Sequence, residues 1–422
     1  MSDDYNALRR EDFRVRSIFH VDVNSAFLSW SALERIRKDP NAVDLRTIPS
    51  AVGGDIETRH GIITAKSIPA KAYQIETGEP VVKALAKCPN LVVVRSDFEA
   101  YRRYSSWLMR LLREYTLYVE QASIDEAYMD VTEMGGAGIS LAHEIRSRVK
   151  AELGFTVNVG VSTNKFLAKT ASDFKKPDLV HTLYPDEIQE KLWPMPIGKL
   201  HGCGSATAGK LISIGINTIG DAAHTELPLL QSFLGNKMGA YIYERANGID
   251  ESEVHYEARE AKSYSNETTT AVDVTASNYE VYAVPILKQL CEKVSGRLRK
   301  DGVYGSTVSV AVKTAGFKRH SRQTTLVNST NDAGIVFSNA QKLMRELLFS
   351  SNGLFAEGEA LRLIGVGISN LDNGQNRQME ISDWLVERKQ QEKQRKLDEM
   401  MNSVRERYGE MAIMKGQHLH QV

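Results

Sequence analysis

Two acidic stretches, about a hundred residues apart, most constrain what this chain can fold into. Asp22 ends the apolar run of residues 18–21, as a residue at the end of a buried strand would. Asp125 and Glu126 lie between two β-forming segments, residues 118–120 and 128–131. This pattern is typical of two short strands with the acids at or beside the turn. Acids at the ends of neighbouring strands can converge on one small volume.

Three carboxylates brought that close together require a compensating charge. They repel one another, and removing them from water costs several kcal/mol unless a cation lies between them. Oxygen ligands favour Mg²⁺ or Mn²⁺, and Mg²⁺ keeps coordination positions for water and substrate phosphates. Asp22, Asp125 and Glu126 therefore predict phosphoryl transfer with two metal ions. The alternative is that Asp125 and Glu126 only solvate a hairpin turn, which is the usual situation for an isolated acidic pair.

Both stretches resemble a known protein family. Residues 122–130, ASIDEAYMD, resemble the catalytic hairpin of Y-family (translesion) DNA polymerases. Residues 19–27, FHVDVNSAF, resemble that family's first palm strand and the turn that covers the nucleotide. The resemblance is to the DNA polymerase IV branch and extends from about residue 17 to 370. It implies a template-directed DNA polymerase of low fidelity, which extends primer 3′ ends with dNTPs in translesion synthesis during DNA repair or damage tolerance.

The resemblance also implies roles for individual residues. Two Mg²⁺ ions, for which Mn²⁺ can substitute, would be held by the carboxylates of Asp22, Asp125 and Glu126 and by the carbonyl oxygen of Val23. Contacts to the incoming nucleotide would come from Ser25, Ala26, Phe27, Thr64, Lys71 and Lys169. Within residues 61–71 the chain departs from the family, which commonly has Tyr and Arg where Ile68 and Lys71 stand. A lysine offers a point charge and not a bidentate fork, so triphosphate binding by this segment is weakened.

Two of these nucleotide contacts have alternatives. Phe27 lies five residues after Asp22 and matches the family's steric gate, a ring that would overlap a ribose 2′-hydroxyl. It could instead be an ordinary core aromatic. The helix predicted after residue 162 carries Lys165 and Lys169 on one face at a spacing of i, i+4. The family pattern favours Lys169 as the triphosphate contact, whereas the alternative is two solvated lysines.

The predicted fold class is α+β and multidomain, a right-hand polymerase. Its palm would be ferredoxin-like, because residues 17–162 show a β-α-β-β-α-β order with an insertion. The expected domains are an N-terminal extension (1–16), the palm (17–48 and 91–182), small fingers (49–90), a helix-hairpin-helix thumb (183–250), a linker (251–262), a β-α-β-β-α-β little finger (263–372) and a C-terminal tail (373–422).

Two segments predict contacts with DNA. Gly202 and Gly204 form a tight turn that enters a helix bearing Lys210, a pattern that resembles a helix-hairpin-helix. Its backbone N–H groups can approach a phosphate, which holds DNA without reading its sequence. The second segment is a predicted hairpin with almost no acids, whose basic residues include Lys318, Arg319 and Arg322. It predicts a basic stripe for the DNA backbone, and the alternative is a solvated hairpin.

Composition limits the partners and the compartment. Lys plus Arg and Asp plus Glu each number 53, so the net charge is zero, which argues mildly against a nucleic-acid binder as a whole. The three cysteines, Cys88, Cys203 and Cys291, are too far apart in sequence to suggest a disulfide framework or a zinc site. With no signal peptide and no membrane-length apolar run, we expect a cytoplasmic monomer without a membrane partner.

The last part of the chain suggests one further partner. Residues 377–384 faintly resemble the short peptide with which such polymerases bind the sliding clamp, with Gln378 and Ile381 in the matching positions. The aromatic residue of that peptide is displaced here. Two alternative functions stay open at this point: a nucleotidyl cyclase-like palm enzyme, which needs no template, and a catalytically weak DNA-binding scaffold.

Overall fold

The computed structural model describes residues 16–54, 61–134, 138–257 and 260–374, together with residues 392, 396, 400, 403 and 407. The chain divides into two compact units, Met1–Arg259 and Glu260–Val422. All three cysteines are buried and free. None of the helices within the described segments is long and apolar enough to cross a membrane.

The first unit contains the following helices and strands, in chain order: β1 (Ile18–Val23), α1 (Ala26–Lys38), β2 (Ser50–Gly53), β3 (Ile63–Lys66), α2 (Ile68–Lys71), α3 (Val81–Lys87), β4 (Val92–Val94), α4 (Phe98–Arg113), β5 (Val119–Gln121), β6 (Glu126–Asp130), α5 (Gly138–Arg148), β7 (Val157–Ser162), α6 (Lys165–Ser172), β8 (Val180–Thr182), α7 (Ile188–Lys191), α8 (Ser205–Ile212), α9 (Ile219–His224), α10 (Leu227–Leu234) and α11 (Asn236–Ala246). A single π-helical turn, Val149–Leu153, follows α5.

The largest sheet of the first unit has five strands in the order β5-β6-β1-β7-β8. Strand β1 pairs antiparallel with both β6 and β7, and β8 joins parallel to β7. Four of these strands, with the helices α4 and α5, follow the β-α-β-β-α-β order that the sequence predicts. The ferredoxin-like palm is therefore confirmed.

The side chains of strand β1 alternate between the apolar core and the opposite face of this sheet. Phe19, Val21 and Val23 point to one side, where they join a core built with α4 and α5. Because side chains alternate along a strand, His20 and Asp22 point to the opposite side. There, His20 contacts Ser172 at the end of α6. The acid at the end of β1 thus lies beneath α6 and away from the apolar core.

Helix α6 approaches the sheet unusually closely, and Gly160 in β7 makes this possible. A Cβ atom on Gly160 would lie 1.9 Å from the carbonyl oxygen of Ala168 and 2.5 Å from the backbone nitrogen of Ser172. These are backbone atoms and cannot move aside without shifting the helix. The absent side chain therefore sets the height of α6 above the face of the sheet that carries Asp22.

A second, smaller sheet has the strand order β3-β2-β4. Strand β4 pairs parallel with β2, with Ser50 opposite Val92. The sequence predicts residues 91–95 as part of the palm, but strand β4 pairs in the small sheet. The physical reason is that a three-residue strand carries no periodic signal of its own, so only its pairing shows which sheet it joins.

The first half of the predicted linker packs against the palm. Val254 is buried with Ile18 and Ala168 on the sheet face that α6 also covers. The backbone N–H of His255 donates to the Glu120 carboxylate over 2.7 Å. The charged composition of this segment conceals two residues that hold it, the buried Val254 and Tyr256, whose ring meets Tyr118 edge-on at 5.3 Å.

The second unit is built from β9 (Ser263–Val274), α12 (Tyr279–Lys300), β10 (Tyr304–Thr314), β11 (Arg319–Thr330), α13 (Ala333–Phe349) and β12 (Leu361–Asp372). Its antiparallel sheet has the order β11-β10-β12-β9. Both helices pack on one side of the sheet around the valines of β10. The predicted β-α-β-β-α-β order is confirmed for this unit.

Candidate active site

Two of the three predicted acids face each other across neighbouring strands. Asp22 in β1 lies directly opposite Glu126 in β6, so the sheet register alone brings their side chains together on one face. Asp125 precedes β6, and its carbonyl oxygen accepts a hydrogen bond from the Val23 N–H over 3.0 Å. The Asp125 carboxylate accepts a hydrogen bond from the Ser123 hydroxyl over 2.6 Å.

Two lysines neutralise the facing carboxylates. Lys169 of α6 places Nζ 2.7 Å from Glu126 Oε1 and 3.2 Å from Asp22 Oδ2. Lys176, in the loop after α6, places its own Nζ 3.0 Å from the same Asp22 oxygen. Lys165 lies elsewhere, with Nζ 2.6 Å from Glu120 Oε2. Of the two lysines that the sequence places on one face of α6, only Lys169 reaches the acids.

The cluster combines burial with opposite charges. Burial raises the pKa of Asp22 to about 6, because desolvation disfavours its charged form, and Lys176 and Lys169 oppose this shift. Burial acts in the same direction on Glu126, but nearby His20 and Lys169 outweigh it and hold the pKa of Glu126 below its ordinary value. For Lys169, burial is outweighed by Asp22 and Glu126, which raise the pKa of the ammonium group.

The donor atoms of this cluster suit a hard divalent cation. Within the described segments, no group of three or more Asp, Glu, His or Cys side chains is arranged around a common metal position. Two carboxylates nevertheless share one ammonium group as their bridging cation, and Asp22 is only 6% exposed. Buried carboxylate oxygens that already share a cation are the ligand type that Mg²⁺ prefers. Asp22 and Glu126 therefore fit a divalent metal.

A cavity of about 210 Å³ opens beside the carboxylates. Its lining residues come from the end of β1, the start of α2 and the loop after α6, and they include Asp22, Ser25, Ile68, Lys71 and Lys176. Ser25 adopts a left-handed backbone conformation with φ of 49°, at the turn that leads from β1 into α1. Among the other predicted nucleotide contacts, the Thr64 hydroxyl donates to the Val52 carbonyl oxygen over 3.2 Å.

Phe27 belongs to an aromatic cluster next to this turn. Its ring stacks on Tyr101, with the ring centroids 4.7 Å apart and the planes 9° from parallel. Phe98 meets the same ring edge-on at 5.9 Å. Phe27 is only partly buried and lies at the border of the palm core. This position leaves part of the ring accessible while its plane is fixed, whereas its neighbour Ala26 is buried.

The predicted thumb turn has the backbone geometry that its glycines suggest. Gly202 has a φ of 84°, and a Cβ there would lie 2.5 Å from the Tyr241 hydroxyl oxygen. That hydroxyl donates to the His201 carbonyl oxygen over 3.0 Å. Gly204 caps the start of α8, with no atom within 4 Å of where its Cβ would be, and Lys210 is exposed on that helix. The turn therefore presents open backbone at a helix start.

The basic hairpin of the second unit connects β10 to β11. Lys318 and Arg322 are exposed, whereas Arg319 pairs with Glu267 of β9 over 2.8 Å. Arg319 lies opposite Lys313, and Arg322 lies opposite the buried Val310. Because directly opposed residues share a face, Arg319 and Arg322 point to opposite faces of the sheet. The hairpin is basic as expected, but the basic residues do not form a stripe on one face.

Two residues of the site lie outside the sequence predictions. Lys176 is one of two consecutive lysines before Pro177, a pattern that carries no helical or strand periodicity. His20 lies two residues before Asp22 in the same strand, so the strand period places both side chains on one face. That period was the available signal for His20.

Gln378 and Ile381 lie outside the described residues.

Comparison with known proteins agrees with this architecture. The impB/mucB/samB family pattern matches residues 21–173, and the pattern of that family's C-terminal domain matches residues 261–381. The thumb-domain pattern of DNA polymerase-iota matches residues 198–250.

Related proteins align with nearly the whole chain. DNA polymerase IV of Clostridium acetobutylicum is 40% identical, over 94% of this chain and 97% of its own length. DNA polymerase IV 1 of Bacillus subtilis is 33% identical, over 95% of this chain and 92% of its own length. The solved structure of a Y-family DNA polymerase chimera superimposes with a TM-score of 0.73, over 84% of this chain and 98% of that chain, at 24% identity. This last similarity concerns the fold.

The palm, the thumb and the second β-α-β-β-α-β unit define a translesion DNA polymerase, a DNA-directed enzyme. Among these enzymes the chain belongs to the Y family, and its relatives are DNA polymerase IV proteins. Members of this family generally use divalent metal ions and bind DNA and dNTPs. Family membership excludes the nucleotidyl cyclase alternative.

Proposed function

We propose that this polymerase adds dNTPs to a primer 3′ end by a two-metal mechanism, with Asp22, Asp125 and Glu126 as its catalytic acids. The observation that carries the proposal is the register pairing of Asp22 with Glu126, together with a cavity that Asp22, Lys71 and Lys176 line. Carboxylates that could bind metal ions and ammonium groups that could bind phosphates then lie at the same site. This is the combination that phosphoryl transfer requires.

The proposed metal ligands are the carboxylates of Asp22, Asp125 and Glu126 and the carbonyl oxygen of Val23, for two Mg²⁺ ions that Mn²⁺ can replace. When bound, the ions activate the primer 3′-hydroxyl and stabilise the leaving pyrophosphate. Lys169 bridges Asp22 and Glu126, so it balances their charge whenever the metal site is not filled. The protein otherwise contributes positioning and preorganised charge.

The nucleotide site is proposed to include Ser25, Ala26, Phe27, Thr64, Lys71 and Lys169, and we add Lys176 to this set. The residues that replace the family's usual Tyr and Arg, Ile68 and Lys71, are both exposed and line the cavity. Lys176 lines the same cavity from the palm side, so two ammonium groups border the volume in which a triphosphate would bind. This arrangement supports nucleotide binding despite the departure at residue 68, and an active polymerase is favoured over the scaffold alternative.

DNA binding is proposed for the thumb turn and the little finger. Gly202, Gly204 and Lys210 would hold a phosphate backbone at the start of α8, and Lys318, Arg319 and Arg322 would hold it from the basic hairpin. We propose the same domain limits as the sequence analysis, with two adjustments: residues 92–94 belong with the fingers sheet, and residues 251–257 belong with the palm surface.

We further propose that the enzyme acts as a cytoplasmic monomer and that its C-terminal tail binds a sliding clamp. The compartment follows from where the substrates, DNA and dNTPs, are found. The tail proposal rests on the sequence around Gln378 and Ile381.

Replacing Asp125 or Glu126 by its amide tests the catalytic acids. The amide keeps the size of the side chain but removes a charge that balances Mg²⁺. The transition state should therefore lose several kcal/mol of stabilisation, and kcat for primer extension should fall about tenfold for each 1.4 kcal/mol lost. Binding to primer–template in a gel shift should survive. Glu133→Gln, an exposed palm residue, is the matched control. Full activity of Asp125→Asn would exclude Asp125 from the site.

Phe27→Ala tests the steric gate. A ring against C2′ penalises a 2′-hydroxyl by ~1–3 kcal/mol, so the variant should incorporate ribonucleotides roughly tenfold to a hundredfold more readily. The partly buried Leu33 lies on the same helix, and Leu33→Ala should lower the melting temperature without changing sugar choice. If Phe27→Ala behaves like Leu33→Ala, then Phe27 is an ordinary core residue.

Combined replacement of Lys318, Arg319 and Arg322 by Ala tests the hairpin. Affinity for primer–template of any sequence should fall, and its salt dependence should become shallower by about one unit for each phosphate that the variant no longer neutralises. The control removes the same charge from the exposed lysines of α12, Lys288, Lys293 and Lys300. Equal salt slopes in the two variants would mean that the hairpin is only solvated surface.

Removing residues 375–422 tests the tail. Extension of short oligonucleotides should be nearly unchanged, because the proposed catalytic and DNA-binding segments precede residue 375, whereas processivity with a loaded clamp should fall. A truncated chain that keeps its clamp-dependent processivity would rule out the tail as the clamp-binding segment.

A further inference from the structure

His20 is a histidine enclosed on all sides next to the catalytic acids. Its side chain is 0% exposed and lies in β1 opposite Tyr128 of β6. The Tyr128 ring contacts it with a centroid distance of 4.7 Å and a tilt of 58°. Ser172 contacts it from α6, the helix that Gly160 allows to come close. These neighbours fix both the position and the plane of the imidazole.

The two ring nitrogens have different surroundings. Nδ1 lies 2.8 Å from the Ser172 hydroxyl oxygen. Nε2 has no hydrogen-bond partner among the described residues, and the atom it faces is Glu126 Oε2 at 3.6 Å. A buried ring nitrogen without a hydrogen-bond partner destabilises the folded state. The position of Nε2 in front of the Glu126 carboxylate therefore needs an explanation.

The charge of Glu126 decides which ring nitrogen is favoured to carry a hydrogen. A nitrogen lone pair facing a carboxylate would be repulsive, whereas an N–H facing it is attractive. The Glu126 carboxylate therefore favours a hydrogen on Nε2. The Ser172 hydroxyl oxygen contacts Nδ1 on the other side of the ring over 2.8 Å and keeps the ring in this orientation.

Each carboxylate oxygen of Glu126 therefore faces a different side chain. Lys169 contacts Oε1 over 2.7 Å, and the His20 ring faces Oε2. The Ser172 hydroxyl also lies 2.8 Å from the Lys169 carbonyl oxygen. Ser172 therefore contacts both residues that face Glu126, His20 through its side chain and Lys169 through its backbone. Lys169 compensates charge and would compete with a metal ion for Oε1, whereas the imidazole meets the other oxygen, Oε2.

We propose that His20 is a positioning residue, which holds Glu126 in the orientation that binds the divalent cation and is itself held by Ser172. This inference rests on the proposed two-metal function, for which Glu126 is a ligand. Removing an outer side chain that orients a metal-ligating group typically changes metal affinity by about tenfold to a hundredfold. His20 touches no substrate in this scheme and acts only through Glu126.

Two amide replacements separate the roles of the two ring nitrogens. In His20→Asn the amide can occupy the position of Nδ1 and keep the contact with Ser172, but it cannot reach Glu126. In His20→Gln the longer side chain carries an amide N–H to the position of Nε2. The readouts are Mn²⁺ binding by electron paramagnetic resonance without DNA or dNTP, the half-saturating Mg²⁺ concentration in primer extension, and the melting temperature.

We expect His20→Asn to weaken Mn²⁺ binding about tenfold to a hundredfold and to raise the half-saturating Mg²⁺ concentration in parallel. His20→Gln should restore most of both. Mn²⁺ binding by His20→Asn equal to that of the unmodified protein would overturn the proposal. So would equal losses in both variants, accompanied by lower melting temperatures, because packing alone would then account for them.

A second variant, Ser172→Ala, tests the proposal if His20→Asn does not fold. Ser172→Ala leaves the imidazole in place and removes its partner, and we expect Mn²⁺ binding to weaken by up to about tenfold. Unchanged Mn²⁺ binding in a folded Ser172→Ala protein would overturn the proposal. Failure of the unmodified protein to extend primers with Mg²⁺ would instead refute the proposed function, so the two outcomes are distinguishable.

Discussion

The register of β1 against β6 sets Asp22 and Glu126 directly opposite each other, and the rest of the site is arranged around this pair. Two carboxylates on adjacent strands repel, and burial makes each of them costly to ionise. In the structure Lys169 lies between them. Its presence there depends on Gly160, because any side chain at that position would push α6 away from the sheet.

The same lysine explains how the cluster can persist in the folded chain without a bound ion. Two close carboxylates, one buried and one partly buried, would destabilise the palm without compensation, whereas a bridging ammonium group lets both stay close. A divalent cation would take over part of this task with a higher charge. On the proposed mechanism Lys169 is then released from the acids, and its nearest available role is toward the phosphates of the nucleotide.

Charge distribution, and not total charge, accounts for DNA binding by a chain with equal numbers of acidic and basic residues. Acids and lysines offset one another in the palm, where chemistry needs both. The β10–β11 hairpin instead concentrates positive charge in a few residues. Its pairing spreads Arg319 and Arg322 over both faces, and Glu267 already engages one of them. The proposed DNA contact at this hairpin is therefore an edge and a turn, not a flat basic face.

Local patterns in the sequence were sufficient for the β-α-β-β-α-β order of both sheets, the fold class and the family, because strand alternation, helical periodicity and the acidic motifs are local properties. The fixed strand period also puts His20 on the same face as Asp22, a signal that the sequence predictions did not use. Only the packed structure shows that β4 pairs with β2, that Lys169 reaches the acids while Lys165 pairs with Glu120, and that Lys176 joins Asp22. These contacts join residues distant in the chain. They depend on how closely one element packs on another, which no local pattern encodes.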